Sequence, residues 1–295
     1  MPEDNKPQIE PVTADSPLSL SNLPAADAVL LRLDGSPAIL PPPEPPRDPL
    51  WSGWDVLLIA LLAIGSLIVA QAAALVIAKM WLFPHTSIPE LANQMAKMPT
   101  LALLSMLASY GMVALYMVRL IRKRYHANFL PAIRWNFPDH PWRFPLLGVG
   151  LMLSLTLLEH VLPMPKDAPF EQFFARPLDA YLTSIFAVTL GPLMEELFFR
   201  GFLYPVLVRR MGIAPAVVFT SILFGGLHSM QLGYAWGAVL VIVIVGLVLT
   251  IVRQVTGSVA ASLLVHVGYN GALMLIAAAQ TDGFRHMEKA NLLAP

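Results

Sequence analysis

The chain has 295 residues, of which 56% are hydrophobic and 13% charged; its 19 basic and 19 acidic side chains cancel, and its mean hydropathy is +0.64. That composition describes a polytopic membrane protein and not a soluble domain with one large core, and it leaves no basic footprint for a nucleic acid. No cysteine is present, so a disulfide framework, a thiolate metal site and a thiol nucleophile are all excluded.

Residues 1–50 carry twelve of the 27 prolines and eight acidic against three basic side chains. A disordered, partly polyproline, cytoplasmic tail is expected there. One short apolar patch, Ala25 to Leu33, reads as a transient helix or docking motif. The start Met1-Pro2-Glu3-Asp4 lacks the basic region and cleavage pattern of a secretory signal, so the first apolar span is expected to serve as an uncleaved one.

Seven apolar spans follow, near 55–79, 100–120, 144–163, 180–208, 213–231, 235–252 and 258–279. Each approaches the roughly 20 residues that a bilayer requires. The expected fold is therefore an all-α, polytopic transmembrane helical bundle of about seven spans, or eight if the C-terminal segment re-enters. Residues 51–163 form its N-terminal transmembrane helices and residues 164–295 its core. Trp51, Trp54, Trp81, Trp135, Trp142 and Trp236 stand at span edges, as an aromatic belt requires. The connection after the second span holds Arg119, Arg122, Lys123, Arg124, Arg134 and Arg143, and Arg209, Arg210 and Arg253 fall on the same side. The rule that basic connections stay inside makes this side, and the N-terminus, cytoplasmic. On the opposite side, Pro165 to Asp179 brings Phe170, Phe173 and Phe174 to a connection best read as packing on the membrane surface.

The fourth span contains a contradiction. Glu195, Glu196 and Arg200 lie in an otherwise apolar stretch. Three charges near the bilayer centre cost roughly 8–10 kcal/mol on the insertion scale, so other helices must satisfy them.

Three pairs of unusual residues share the i,i+4 spacing that puts both on one helical face: Glu196 and Arg200, Phe224 and His228, His266 and Asn270. Glu195 lies about 100° around the helix from Glu196 and faces elsewhere. Spans four and five turn near Met211-Gly212, which places Glu195 and His228 at one level, roughly 24 Å along their helices. Each feature has a bland reading. A single buried histidine packs helices, Glu196 and Arg200 neutralise each other, and Gly225, Gly226, Gly268 and Gly271 permit close helix contact. The combination of one free glutamate, two histidines and an asparagine at compatible depth does not.

Read as EExxxR, FxxxH and HxxxN, in this order, the residues resemble the CPBP intramembrane proteases (the CAAX protease and bacteriocin-processing, or Abi, family). That family includes the type II CAAX prenyl endopeptidases. The resemblance covers residues 180–280 and implies an intramembrane endopeptidase. Its substrate would be a membrane-anchored, possibly CAAX-type, protein or peptide held in the lipid bilayer.

Peptide hydrolysis needs an activated water and donors for the oxyanion. Glu195 is the candidate base, and His228 helps to hold or polarise the water. His266 and Asn270 are candidate oxyanion donors. Glu196, Arg200 and Phe224 structure the site. A mechanism with no metal is preferred. The alternative is a divalent ion such as zinc on Glu195, His228 and His266, because the family has been described in both ways. The sequence lacks HExxH, and Glu159-His160 has the reverse order. A proton-coupled transporter or a non-catalytic membrane scaffold would bear some of the same residues. The absence of an internal repeat speaks against the transporter.

Overall fold

The computed structural model describes residues 48–164 and 169–286; the expected proline-rich tail up to residue 47 and residues 287–295 lie outside them. Every regular element among the described residues is helical. The α-helices in chain order are α1 (Gly53–Ile77), α2 (Ile88–Ala96), α3 (Pro99–Arg119), α4 (Phe129–Ala132), α5 (Arg143–Glu159), α6 (Pro177–Val188), α7 (Leu190–Glu196), α8 (Tyr204–Met211), α9 (Ile213–Leu227), α10 (Trp236–Thr256) and α11 (Val259–Gln280), with short π-helical and 3-10 turns between some of them.

Five helical stretches are long and apolar enough to cross a membrane: Gly53–Leu82, Pro99–Arg124, Pro177–Met211, Trp236–Thr256 and Val259–Gln280. The chain is thus an integral membrane protein. The expected third and fifth spans are shorter than anticipated. α5 has 17 residues and α9 has 15, so they rise only about 25 and 22 Å, less than a hydrocarbon core of about 30 Å. Physical reasons stand at both ends. Pro163 cannot continue α5. In α9 the pair Gly225-Gly226 weakens the last turn, and His228 Nδ1 binds the Phe224 carbonyl at 2.7 Å.

The stretch Pro177–Met211 is not one smooth helix. It breaks at Thr189 (φ −116°, ψ −80°) and widens to a π-helix over Leu197–Leu203. Proline explains both irregularities. Pro192 and Pro205 bring no N–H to the carbonyls four residues before them, so the turn must break or widen there. The Tyr204 N–H accordingly reaches back five residues to the Phe199 carbonyl.

One end of the bundle gathers the basic connections. Ser52 caps α1 in a reciprocal arrangement with Asp55. Asp55 also takes Arg124 at 3.1 Å and the Tyr125 hydroxyl at 2.7 Å. Burial and that hydrogen bond push the Tyr125 phenol above its ordinary pKa. Arg209 donates to the carbonyls of Pro49 and Trp51. Gly212, at φ +83°, makes the tight turn from α8 to α9 that other residues resist.

Trp51 departs from the expected belt. It is 1% exposed, donates Nε1–H to the Phe202 carbonyl at 2.9 Å and belongs to the core. At the other end Phe174 is likewise buried, against Ala180, Ala277 and Phe284, and not laid on the membrane surface. Phe284 fixes the chain after α11 at this end through Phe174 and Tyr181, so no re-entry occurs among the described residues.

Helix contact is closest where glycines face backbone. A Cβ on Gly148 would stand 2.1 Å from the Val265 carbonyl, and one on Gly268 2.2 Å from that of Pro145, which locks α5 onto α11. Gly225 plays the same part between α9 and α10, with a Cβ 2.4 Å from Val243. Gly226 meets nothing and Gly271 only ordinary contact at 3.7 Å, so two of the four glycines expected to pack do so.

Candidate active site

Four helices bring the unusual side chains together. The π-helical widening begins immediately after Glu196, and the two glutamates meet different surroundings. Glu196 and Arg200 are completely buried. Arg200 donates Nη1 to Glu196 at 2.9 Å, Nη2 to the Gly246 carbonyl at 2.9 Å and Nε to Thr250 at 3.3 Å. Its guanidinium also lies 4.6 Å from the centroid of the Phe224 ring. Glu196 further accepts the Ser262 hydroxyl at 2.5 Å and faces His266 Nδ1 at 3.0 Å. Removing one partner of a buried pair of this kind leaves an uncompensated charge.

Glu195 is partly exposed and looks into a cavity of about 270 Å³. His228 Nε2 stands 3.9 Å from its Oε1, and His266 Nε2 stands 3.8 Å from its Oε2. Partner groups fix both rings. The Phe224 carbonyl can only accept, so His228 carries its proton on Nδ1; the Glu196 carboxylate assigns the same tautomer to His266. Each ring therefore turns its other nitrogen, Nε2, toward the Glu195 carboxylate. Separations of 3.8–3.9 Å are too long for direct hydrogen bonds and suit a small bridging molecule such as water.

Phe224 is the hub beneath this group. It is buried, 5.2 Å from the Phe199 ring, 4.8 Å from that of His228 and 5.8 Å from that of His266. Asn270 lines the same cavity, and its side-chain amide donates to the Ala187 carbonyl at 2.7 Å. The break at Thr189 frees that carbonyl, so Asn270 ties α11 to the kink. An amide nitrogen has two hydrogens, and one remains.

All seven residues singled out from the sequence thus lie in one place. Three others, Ser262, Thr250 and Tyr110, escaped notice. Ser262 sits four residues before His266, and Thr250 four after Gly246, so both spacings were visible. Tyr110, stacked on Phe186 at 5.5 Å, also lines the cavity. Glu159, noted in the sequence only as half of the reversed pair Glu159-His160, lines it too. A second, almost wholly apolar cavity of about 550 Å³ between α1, α3 and the Leu197–Leu203 turn shares Tyr110 and Glu195 with the first.

Metal binding finds no fit. Among the described residues no group of three or more His, Cys, Asp or Glu side chains is placed to hold an ion. Glu195, His228 and His266 are spaced at 3.8–3.9 Å through different carboxylate oxygens, whereas ligands of one zinc ion at about 2.0–2.1 Å lie roughly 3.3 Å apart.

Residues 177–272 match the family model for type II CAAX prenyl endopeptidase Rce1-like proteins. The Rce1-like stretch runs from α6 into α11 and contains all seven residues. The match is consistent with a CPBP-family protease and implies a hydrolase acting on a protein substrate at the bilayer. No curated protein and no solved structure matches the chain.

Proposed function

We propose that the protein is an intramembrane endopeptidase in which Glu195 activates water to hydrolyse a peptide bond of a membrane-anchored protein or peptide. The observation that carries this reading is the convergence of His228 Nε2 and His266 Nε2 on the Glu195 carboxylate, with both rings fixed from behind. A water held there donates one hydrogen to Glu195 and the other to a histidine nitrogen. Glu195 takes the first proton as the water oxygen attacks the carbonyl carbon. The oxyanion that forms meets the remaining Asn270 amide hydrogen, and meets His266 when that ring carries a second proton. Collapse breaks the carbon–nitrogen bond, and Glu195 returns its proton to the leaving amine. The products are one carboxyl and one amino terminus.

Glu196 and Arg200 act as positioning residues. Arg200 fixes Glu196, and Glu196 fixes His266. The apolar cavity adjoining Glu195 suits the hydrocarbon or apolar side chains of a membrane-anchored substrate. A CAAX-type tail is one such substrate, and the Rce1-like match supports it. The test is cleavage of a panel of membrane-anchored peptides by the purified full chain. Wild-type protein is expected to cut at least one, and Glu195→Gln none. Equal cleavage by both would overturn the assignment.

A further inference from the structure

Arg200 is held along its whole length by one face of α10. Gly246, Thr250 and Arg253 stand at i, i+4 and i+7, positions that one side of a helix presents together. The Gly246 carbonyl accepts Arg200 Nη2 at 2.9 Å, and the Thr250 hydroxyl accepts Nε at 3.3 Å. Arg253 reverses the direction: its own Nε donates to the Arg200 backbone carbonyl at 3.2 Å. Arg253 is 4% exposed, and none of the ion pairs among the described residues includes it. A buried guanidinium without a carboxylate partner is costly, so a neutralising role does not account for this residue.

The widened helix Leu197–Leu203 does. Its hydrogen bonds reach the fifth residue, as from the Tyr204 N–H to the Phe199 carbonyl. Next in that register is Pro205, which has no N–H to give the Arg200 carbonyl. A buried carbonyl left without a donor is destabilising, and Arg253 supplies the donor that Pro205 lacks. Two residues on, the Phe202 carbonyl takes Trp51 Nε1–H at 2.9 Å. The widening is thus pinned by two side chains distant in sequence, and its register bears on the site. A slip of one residue would turn the segment before it by about 100° relative to α8. That segment carries both glutamates, and about the same angle separates Glu195 from Glu196.

We propose that Arg253 is a positioning residue for the reaction at Glu195. By tying the Arg200 backbone it holds the widened turn in register, and through Arg200 and Glu196 it sets the His266 ring. The effect on turnover rests on the proteolytic reading above; the effect on His266 does not.

Two variants of equal side-chain length isolate the donor. Glutamine carries an amide nitrogen at the chain position of the arginine Nε, whereas methionine carries a methyl group there. In the purified full chain, Arg253→Gln is expected to keep wild-type turnover of a cleavable membrane-anchored peptide. Arg253→Met is expected to lose about tenfold or more in kcat with KM unchanged. The His266 ring gives a reading that needs no cleavage. In protein carrying heavy-nitrogen histidine, its ring signals are identified by their loss in His266→Gln. They are expected to shift in Arg253→Met and to stay in place in Arg253→Gln. Indistinguishable His266 signals in the two variants would overturn the proposal, and shifted signals with wild-type kcat in Arg253→Met would remove Arg253 from the reaction. If wild-type protein itself cleaves no peptide, the proteolytic reading fails while the His266 signals still decide the positioning. Should Arg253→Met not fold, Pro205→Ala/Arg253→Met, which restores an N–H at position 205, is expected to fold; its failure would contradict the donor role.

Discussion

His266 Nδ1 lies 3.0 Å from Glu196 Oε1, so the buried glutamate fixes the ring whose other nitrogen faces the glutamate next to it in sequence. Two adjacent carboxylates thus have separate tasks. Glu196 is spent on Arg200, Ser262 and His266, and Glu195 is left to the cavity.

The Glu196–Arg200 pair should behave as a buried ion pair whose halves depend on each other. Arg200→Met alone is expected to destabilise the protein by about 3–5 kcal/mol, since it strands Glu196. The double variant Glu196→Gln/Arg200→Met should lose less than the sum of the single changes. Denaturant unfolding in detergent gives both numbers. Additive losses would mean that the two residues do not act as a pair.

Ser262→Ala removes a hydroxyl that donates its one hydrogen to Glu196 at 2.5 Å and lies 3.0 Å from the Leu249 carbonyl. Losing a hydrogen bond to a charged group costs about 1.5–3 kcal/mol. Turnover should fall because His266 is less well fixed, while substrate affinity, set by the cavity walls, is retained. Separate measurement of kcat and KM checks this; a change in KM alone would place Ser262 in substrate contact.

Gly148→Ala and Gly268→Ala each drive a methyl into the backbone of the facing helix. Overpacking of this kind costs about 1–3 kcal/mol, read as a lower midpoint of unfolding. Gly226→Ala, which meets open space, is the matched control and should be neutral or slightly stabilising, because alanine favours the helix. Equal effects at Gly226 and Gly148 would refute the packing argument.

The i,i+4 spacings that made Glu196, Arg200, Phe224, His228, His266 and Asn270 legible in the sequence are properties of single helices, and periodicity reports them well. The turn at Gly212 set Glu195 and His228 at one level, and the two now stand 3.9 Å apart. What stayed hidden depends on contacts between helices. Apolar composition alone could not reveal that α5 and α9 end early, and that shortening is what brings Glu159 to the cavity. Trp51 looked like an interfacial anchor because its neighbours in sequence are span edges; its partner Phe202 is far along the chain. The break at Thr189 was marked by Pro192, but its consequence, a free carbonyl for Asn270, required the tertiary structure.

Chelation should leave activity intact. The spacing of Glu195, His228 and His266 does not suit a shared ion, so wild-type protein dialysed against a strong chelator is expected to retain its cleavage rate. Loss of activity that zinc restores would contradict the metal-free mechanism and leave proteolysis itself standing.

Most direct for the central claim is the fate of the water oxygen. Chelator-treated wild-type protein, incubated with a cleavable membrane-anchored peptide in heavy-oxygen water, should place one heavy oxygen in the new carboxyl terminus, as mass spectrometry of the product reads. Glu195→Gln should fold alike and yield no product above background, a loss of about 10²–10⁴-fold expected for removing a general base. Labelled product formed at the wild-type rate by Glu195→Gln would show that Glu195 is not the group that activates water.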